Sequence, residues 1–181
     1  MRPVLNLAPE LLLRAQPVKV VFFDVDGVLT DGGLYFSESG ETLKRFNTLD
    51  GHGLKLLLRA GLTPVVISGR DSAPLRTRLG ALGVTRAVLG TEDKLPAAQA
   101  ELARLGLDWS QAAAMGDDWP DLPLLTRSAL ACAPPNAHPE VLTRAQFVTQ
   151  RAGGQGAVRE LCDLLLMASG HYVKAWQAVA A

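Results

Sequence analysis

One stretch constrains the fold more than any other: Val18 to Asp31, which reads VKVVFFDVDGVLTD. Val20 to Phe23 is an unbroken apolar run that ends on two acids, Asp24 and Asp26, with Gly27, Thr30 and Asp31 close behind. β-branched and aromatic residues closed at once by Asp and Gly predict a strand buried on both faces, then a turn. An unpaired carboxylate is costly to bury, so Asp24 alone would be read as the residue that stops the strand. Two acids at i and i+2 are less ordinary. Leaving the carboxyl end of a parallel strand, they would stand where open α/β sheets place their ligands.

The rest of the chain supplies such a sheet. Thr63 to Ser68 (TPVVIS), Arg86 to Leu89, Gln111 to Met115, Leu130 to Ala133 and Phe147-Val148 read as further strands. Between them lie helical stretches: Leu54 to Ala60, a segment capped by Asp71 or Ser72 and running to Leu82, Lys94 to Leu105, and Ala157 to Ala168. Pro9 to Ala15 reads as a short helix packed on the outside. Asp50-Gly51-His52-Gly53 reads as opening the Leu54 helix, and Gly61 as its C-terminal stop. Strands and helices alternating on short connections predict an α/β fold, a Rossmann-like doubly wound parallel sheet with helices on both faces. No repeat or linker interrupts it, so a single domain is expected over 1–181, with a tail from about 170. Only residues 33–47 break the rhythm: Leu34-Tyr35-Phe36, a Ser-Glu-Ser-Gly turn and Leu43 to Phe46 form a β-hairpin pattern.

Composition excludes several classes. Lys plus Arg equals Asp plus Glu, at 18 each, so no basic surface suggests nucleic acid. No segment approaches the roughly 20 apolar residues of a membrane span. The N-terminal MRPVLNLAPELLLRAQP is broken by Pro9 and Glu10, unlike a signal peptide. Cys132 and Cys162 lie far apart in apolar surroundings, which fits reduced core thiols in a cytoplasmic protein rather than a disulfide or a zinc site. His52 and His138 sit in turn or helix-start contexts and are not expected to bind metal.

Four strand-to-helix loops carry reactive groups: Asp24 and Asp26; Ser68; Lys94; and Asp117, Asp118 and Asp121. Singly, each has a plain reading: a turn residue, a cap, a solvated lysine, an acidic helix start favoured by the dipole. In a doubly wound sheet, however, loops leaving the carboxyl edge share one rim. Residues distant in sequence can converge there.

Together these residues resemble the haloacid-dehalogenase-like phosphatases, over nearly the whole chain. DVDGVLT is similar to the first motif of that family, SGR to the second, Lys94 to the third and GDDWPD to the fourth. The resemblance implies that Asp24 attacks phosphorus to form an aspartyl-phosphate, splitting a hard hydrolysis into two steps. It implies Mg²⁺, a hard cation that prefers oxygen ligands, held by the Asp24 carboxylate, the Asp26 backbone carbonyl and the Asp117 carboxylate. Ser68 would donate to a phosphate oxygen, and Lys94 would supply positive charge to nucleophile and phosphate. Asp26 would be general acid, then general base. An acid at that position separates phosphatases from the family's dehalogenases. Asp118 and Asp121 would hold metal waters or Lys94 in place.

Larger members carry a cap domain over the site, and the hairpin here is too short to replace one. A neighbouring subunit must then supply the lid, or the substrate is itself large. The apolar Leu34, Phe36, Leu43 and Phe46 favour pairing of hairpins between copies. The finer similarity is to capless, tetrameric members acting on small sugar-acid phosphates, through FDVDGVLTDG, FNTLDGHG, ISGR, GDDWPDLPLL, NAHPEV and RAGGQGAVRELCDLLL. It implies a homotetramer and a substrate pocket formed by Asp26, Asn47, Thr48, Leu49, Asp50, Gly51 and Lys94. Lys55, Arg70 and Arg78 would surround the substrate's carboxylate and phosphate. The tail would reach a neighbouring site. The chain departs from the pattern at Lys55, where Arg is usual, and at RAVLGTEDK, which lacks a His and a Tyr-Gln pair. Eight- and nine-carbon keto-deoxy sugar-acid phosphates both stay open as substrates. Outside the enzymes, a phosphoacceptor signalling domain uses similar groups, but Asp26 would hydrolyse its aspartyl-phosphate. A non-catalytic assembly subunit is disfavoured because every reactive position is present.

Overall fold

The structure, a computed structural model, describes residues 7–180, so residues 1–6 of the N-terminal stretch and Ala181 of the tail lie outside the described residues. In chain order the elements are α1 (Pro9–Ala15), β1 (Val20–Phe23), β2 (Tyr35–Ser37), β3 (Gly40–Leu43), α2 (Thr48–Arg59), β4 (Thr63–Ser68), α3 (Ala73–Leu82), β5 (Ala87–Leu89), α4 (Lys94–Leu105), β6 (Ala112–Met115), α5 (Leu122–Leu125), β7 (Leu130–Ala133), α6 (Pro139–Leu142), β8 (Phe147–Val148), α7 (Ala157–Ala168) and α8 (Tyr172–Ala180). Six strands form one sheet in the order β5-β4-β1-β6-β7-β8, and every pairing in it is parallel.

The apolar run at the centre explains this architecture. All four residues of β1 are buried, and they alternate between two cores. Val21 and Phe23 join Val66, Met115 and Cys132 beneath α2, α3 and α7. Val20 and Phe22 join Val65, Ile67 and Ala114 beneath α4, α5 and α6. Fully burying a side chain such as Phe22 or Phe23 stabilises by about 1.5–3 kcal/mol, so an exposed face on this strand would be expensive. From β1 the chain runs outward through β4 and β5, then returns to the other side of β1 through β6, β7 and β8. The switch point between β1 and β6 is where such sheets open a crevice at the carboxyl end.

Two expectations need correction. The helix expected from Leu54 begins at Thr48, with the Asn47 side chain accepting from Leu49 N at 2.8 Å as its N-cap. Asp50-Gly51-His52-Gly53 therefore lies within the first turns of α2. The glycines serve close packing: a Cβ on Gly53 would lie 3.0 Å from Cys162 Sγ on α7. Second, the returning hairpin strand ends at Leu43, and Lys44 to Phe46 lead back to the body of the protein. Phe46 packs against the core and so is not offered to a partner, whereas Leu34, Tyr35, Phe36 and Leu43 are exposed. The tail forms α8, which packs on α7.

Candidate active site

The parallel register brings the reactive loops together. Phe23 of β1 pairs with Val66 of β4 and with Met115, the last residue of β6, so Asp24 leaves the sheet where β6 ends, while β4 runs two residues past that pairing, to Ser68. Asp24 N donates to Met115 O at 3.0 Å, which carries the ladder one residue past the strand. Ser68 is the last residue of β4, Lys94 the first of α4, and Asp117 lies two residues past β6. Asp24, Asp26, Ser68, Arg70, Lys94, Asp117, Asp118 and Asp121 all line one cavity of about 400 Å³, together with Gly69, Glu92 and Pro120.

Lys94 is the hub of the charged cluster. Its ammonium donates to Asp24 Oδ1 at 2.5 Å and to Asp121 Oδ1 at 2.7 Å, with all three side chains buried. Burial works against the charged lysine, but the carboxylates of Asp121 and Asp24 outweigh it and hold its pKa above the ordinary value. Asp121 is fully engaged: its Oδ2 accepts from Asp117 N at 3.1 Å and Asp118 N at 3.3 Å. It therefore ties Lys94 to the Asp117 loop. Asp118 caps the short turn Trp119–Asp121, accepting from Trp119 N at 2.8 Å.

Oxygens of Asp24, Asp117 and Asp121 lie within 4.8 Å of one another. Burial first, then repulsion from Asp121, pushes the Asp24 carboxyl up to about 6 despite Lys94. Burial, then repulsion from Asp24 and Asp121, pushes Asp117 to about 8. Three close carboxylates against one ammonium leave uncompensated negative charge in a sheltered place, which is the environment a hard divalent cation relieves. With Asp121 already taken by Lys94 and two amides, Asp24 and Asp117 are the carboxylates available to hold it.

The backbone around these acids is shaped for their approach. Gly27 has φ +96°, and a Cβ there would stand 2.0 Å from Asp117 Oδ2. Asn136, from the NAHPEV stretch, donates to Gly27 O at 3.1 Å and accepts from Gly153 N at 2.7 Å. The C-terminal glycine stretch thus braces the loop that carries Asp24 and Asp26.

Asp26 is held separately. Its Oδ1 contacts the Lys44 ammonium and accepts from Thr30 Oγ1 at 3.5 Å, while Arg70 Nε lies 3.8 Å from its Oδ2. Lys44 escaped the sequence reading. No local pattern marked it: Lys44 lies just past β3, whose residues do not alternate in burial, and it is buried where Leu43 is exposed.

The remaining residues expected to bind substrate do not line this cavity. Asp50 is buried, and its carboxylate accepts from Gly156 N at 3.2 Å and Arg159 N at 2.8 Å, capping α7. Arg78 donates to Asn47 O at 3.3 Å and lies over the Phe46 ring at 5.9 Å. Gly51 makes room for it, since a Cβ would come within 2.2 Å of the guanidinium. Thr48, Leu49 and Lys55 are exposed on α2. In one chain, Asn47, Asp50, Gly51 and Arg78 secure the start of α2, and of the three expected substrate-binding cations outside the cluster only Arg70 reaches the cavity.

A family model described as haloacid dehalogenase-like hydrolase matches residues 88–161, which include Lys94 and the Asp117 loop. With the relatives that follow, it shows that the chain belongs to the haloacid dehalogenase-like hydrolases. Within that family the chain is similar to 3-deoxy-D-manno-octulosonate 8-phosphate phosphatases. The one from Salmonella typhimurium is 38% identical over 164 residues, covering 91% of this chain and 87% of that protein. The crystal structure of the Yersinia pestis phosphatase matches with TM-score 0.90 at 39% identity, covering 92% of this chain and 90% of that one. The Moraxella catarrhalis phosphatase, in complex with a magnesium ion, a phosphate ion and KDO, matches with TM-score 0.90 at 34% identity, covering 95% of this chain and 98% of that one.

Proposed function

We propose that this chain is a Mg²⁺-dependent phosphatase that hydrolyses 3-deoxy-D-manno-octulosonate 8-phosphate to KDO and phosphate, in lipopolysaccharide sugar biosynthesis in the cytoplasm. The observation that carries the reading is the convergence of Asp24, Asp26, Ser68, Lys94 and Asp117 on one cavity at the sheet's switch point. The substrate follows from similarity to enzymes named for it.

The residues divide the work by position. Asp24 attacks phosphorus: a bond forms between its carboxylate oxygen and phosphorus as the bond to the sugar oxygen breaks. Asp26 gives its proton to that leaving oxygen, producing an alcohol. It then takes a proton from the water that attacks the aspartyl-phosphate, and the bond to Asp24 breaks to release phosphate. Ser68 and Lys94 donate to phosphate oxygens, and Lys94 also fixes the Asp24 carboxylate in place. The Asp24 and Asp117 carboxylates and the Asp26 carbonyl would hold Mg²⁺, which when bound would offset the repulsion between carboxylate and phosphate dianion. Arg70 is the cavity's own cation for the substrate's acidic end.

The exposed face of β2 and β3 fits pairing between copies, as a homotetramer through the hairpins. In that assembly Thr48, Leu49 and Lys55, exposed on α2, and the α8 end of the chain are open to a neighbouring subunit's substrate. A monomer on gel filtration at micromolar concentration would rule the assembly out. Phosphate release with Mg²⁺, screened across eight- and nine-carbon keto-deoxy sugar-acid phosphates and hexose phosphates, tests the substrate. Preference for the eight-carbon compound is expected, and preference for a nine-carbon or hexose phosphate overturns that assignment.

A further inference from the structure

We propose that Lys44 is a positioning residue for the phosphatase reaction, fixing the Asp26 carboxylate from behind so that its other oxygen faces the substrate. The proposal rests on the reading of Asp26 as the group that carries the proton.

Lys44 is anomalous for its place. It follows the outer strand of a hairpin whose neighbouring residues are exposed, Phe36 at 62% and Leu43 at 57%. Its own side chain is only 1% exposed. Lysine is almost never buried so completely unless it is paired, and nothing in a two-stranded surface hairpin calls for a buried ammonium. The ammonium instead bridges two acids: Asp26 Oδ1, and Glu41 Oε1 at 2.8 Å, whose side chain is 9% exposed. That Glu41 oxygen is buried with no hydrogen-bond donor, so the Lys44 charge is what compensates it. The result is a chain of charges, Glu41 to Lys44 to Asp26, running from the hairpin to the catalytic loop.

The two oxygens of Asp26 are treated differently. Oδ1 carries both Lys44 and the Thr30 hydroxyl. Oδ2 accepts no hydrogen bond among the described residues and has only Arg70 nearby, at 3.8 Å. Asp26 lines the cavity and Lys44 does not. Lys44 therefore cannot act on substrate directly; it can fix the rotamer of Asp26 and leave Oδ2 free to exchange a proton with the leaving oxygen. Supporting groups of this kind typically contribute about 10- to 100-fold, because a misplacement of about 1 Å at the reacting atoms is enough to lose that much.

The experiment is a double-mutant cycle on steady-state hydrolysis with Mg²⁺, in the full chain. Lys44→Met in the otherwise unaltered enzyme is expected to lower kcat about 10- to 100-fold while KM stays within about two-fold. In the Asp26→Asn background, the same change is expected to alter the residual rate by less than about two-fold, since the group it positions is already disabled. A purely structural lysine would cost the same factor in both backgrounds. That result, or no loss in either, overturns the proposal. Should Lys44→Met be too unstable to assay, Glu41→Gln loosens the ammonium from its far side and enters the same cycle. A several-fold loss confined to the Asp26 background supports the role, while an equal loss or none overturns it. Failure here is separable from failure of the phosphatase reading: an unaltered enzyme that releases no phosphate sinks that reading, whereas full activity with a flat cycle sinks only Lys44.

Discussion

Replacing Asp50 by Ala separates a residue that holds the fold from one that holds substrate. The structure gives its carboxylate two bonds, from Gly156 N and Arg159 N, at the start of α7. α7 is the apolar helix that packs against α2, so loosening its start reaches the larger core. Each amide left without an acceptor costs about 1–3 kcal/mol. Against this stands relief from burying a carboxylate, a real cost, because burial holds the Asp50 pKa above its ordinary value although the amides of Arg159 and Gly156 oppose it. The net loss is about 2–3 kcal/mol, or about 4–12 °C in Tm for a chain of this size. A raised carboxyl contributes stability that is present at low pH and lost as pH rises through its folded value. The Tm gap between Asp50→Ala and the unaltered protein should therefore be wider near about pH 4 than near about pH 8. Thermal melts followed by circular dichroism measure it, with KM determined in parallel. An unchanged Tm with a KM raised about ten-fold or more would refute the structural role and return Asp50 to the substrate.

Gly27→Ala should strain a backbone at φ +96°, costing about 1–2 kcal/mol, and displace Asp117 from a Cβ placed 2.0 Å from its oxygen. Calorimetric titration should then show Mg²⁺ affinity reduced about 10-fold or more, and unchanged affinity would refute the packing argument. Asp24 and Asp117, raised to about 6 and about 8, give the metal-free protein a Tm that falls as pH rises from about 4 through about 8. Because Mg²⁺ must displace those protons, its stabilising shift should be larger at about pH 8 than at about pH 6, and equal shifts would contradict the assignment.

What could be read from the sequence was set by distance along the chain. The strand Val20 to Phe23 has one favourable burial pattern; Asp24 follows β1, Ser68 ends β4, Asp117 lies two residues past β6 and Lys94 opens the helix after β5, so the topology carries them to one rim. The contacts of Asp50 were not legible in the sequence for a physical reason. An acid beside two glycines has the composition of a turn, and only the docking of α7 onto α2 shows the acid as a cap and the glycines as clearance. Arg78 likewise spends its guanidinium on Phe46 and the Asn47 carbonyl, contacts between elements that no local pattern encodes. Lys44 sat among residues of a solvated hairpin, and its burial depends on Asp26 lying across from it.

The central claim is that Asp24 is the nucleophile of a metal-dependent phosphatase. Phosphate release from 3-deoxy-D-manno-octulosonate 8-phosphate, measured for the unaltered chain and for Asp24→Asn at saturating Mg²⁺, tests it most directly. Turnover is expected in the first and a loss of at least about 10³-fold in the second, with Asp24→Asn still folded by circular dichroism. Undiminished turnover in Asp24→Asn would contradict it.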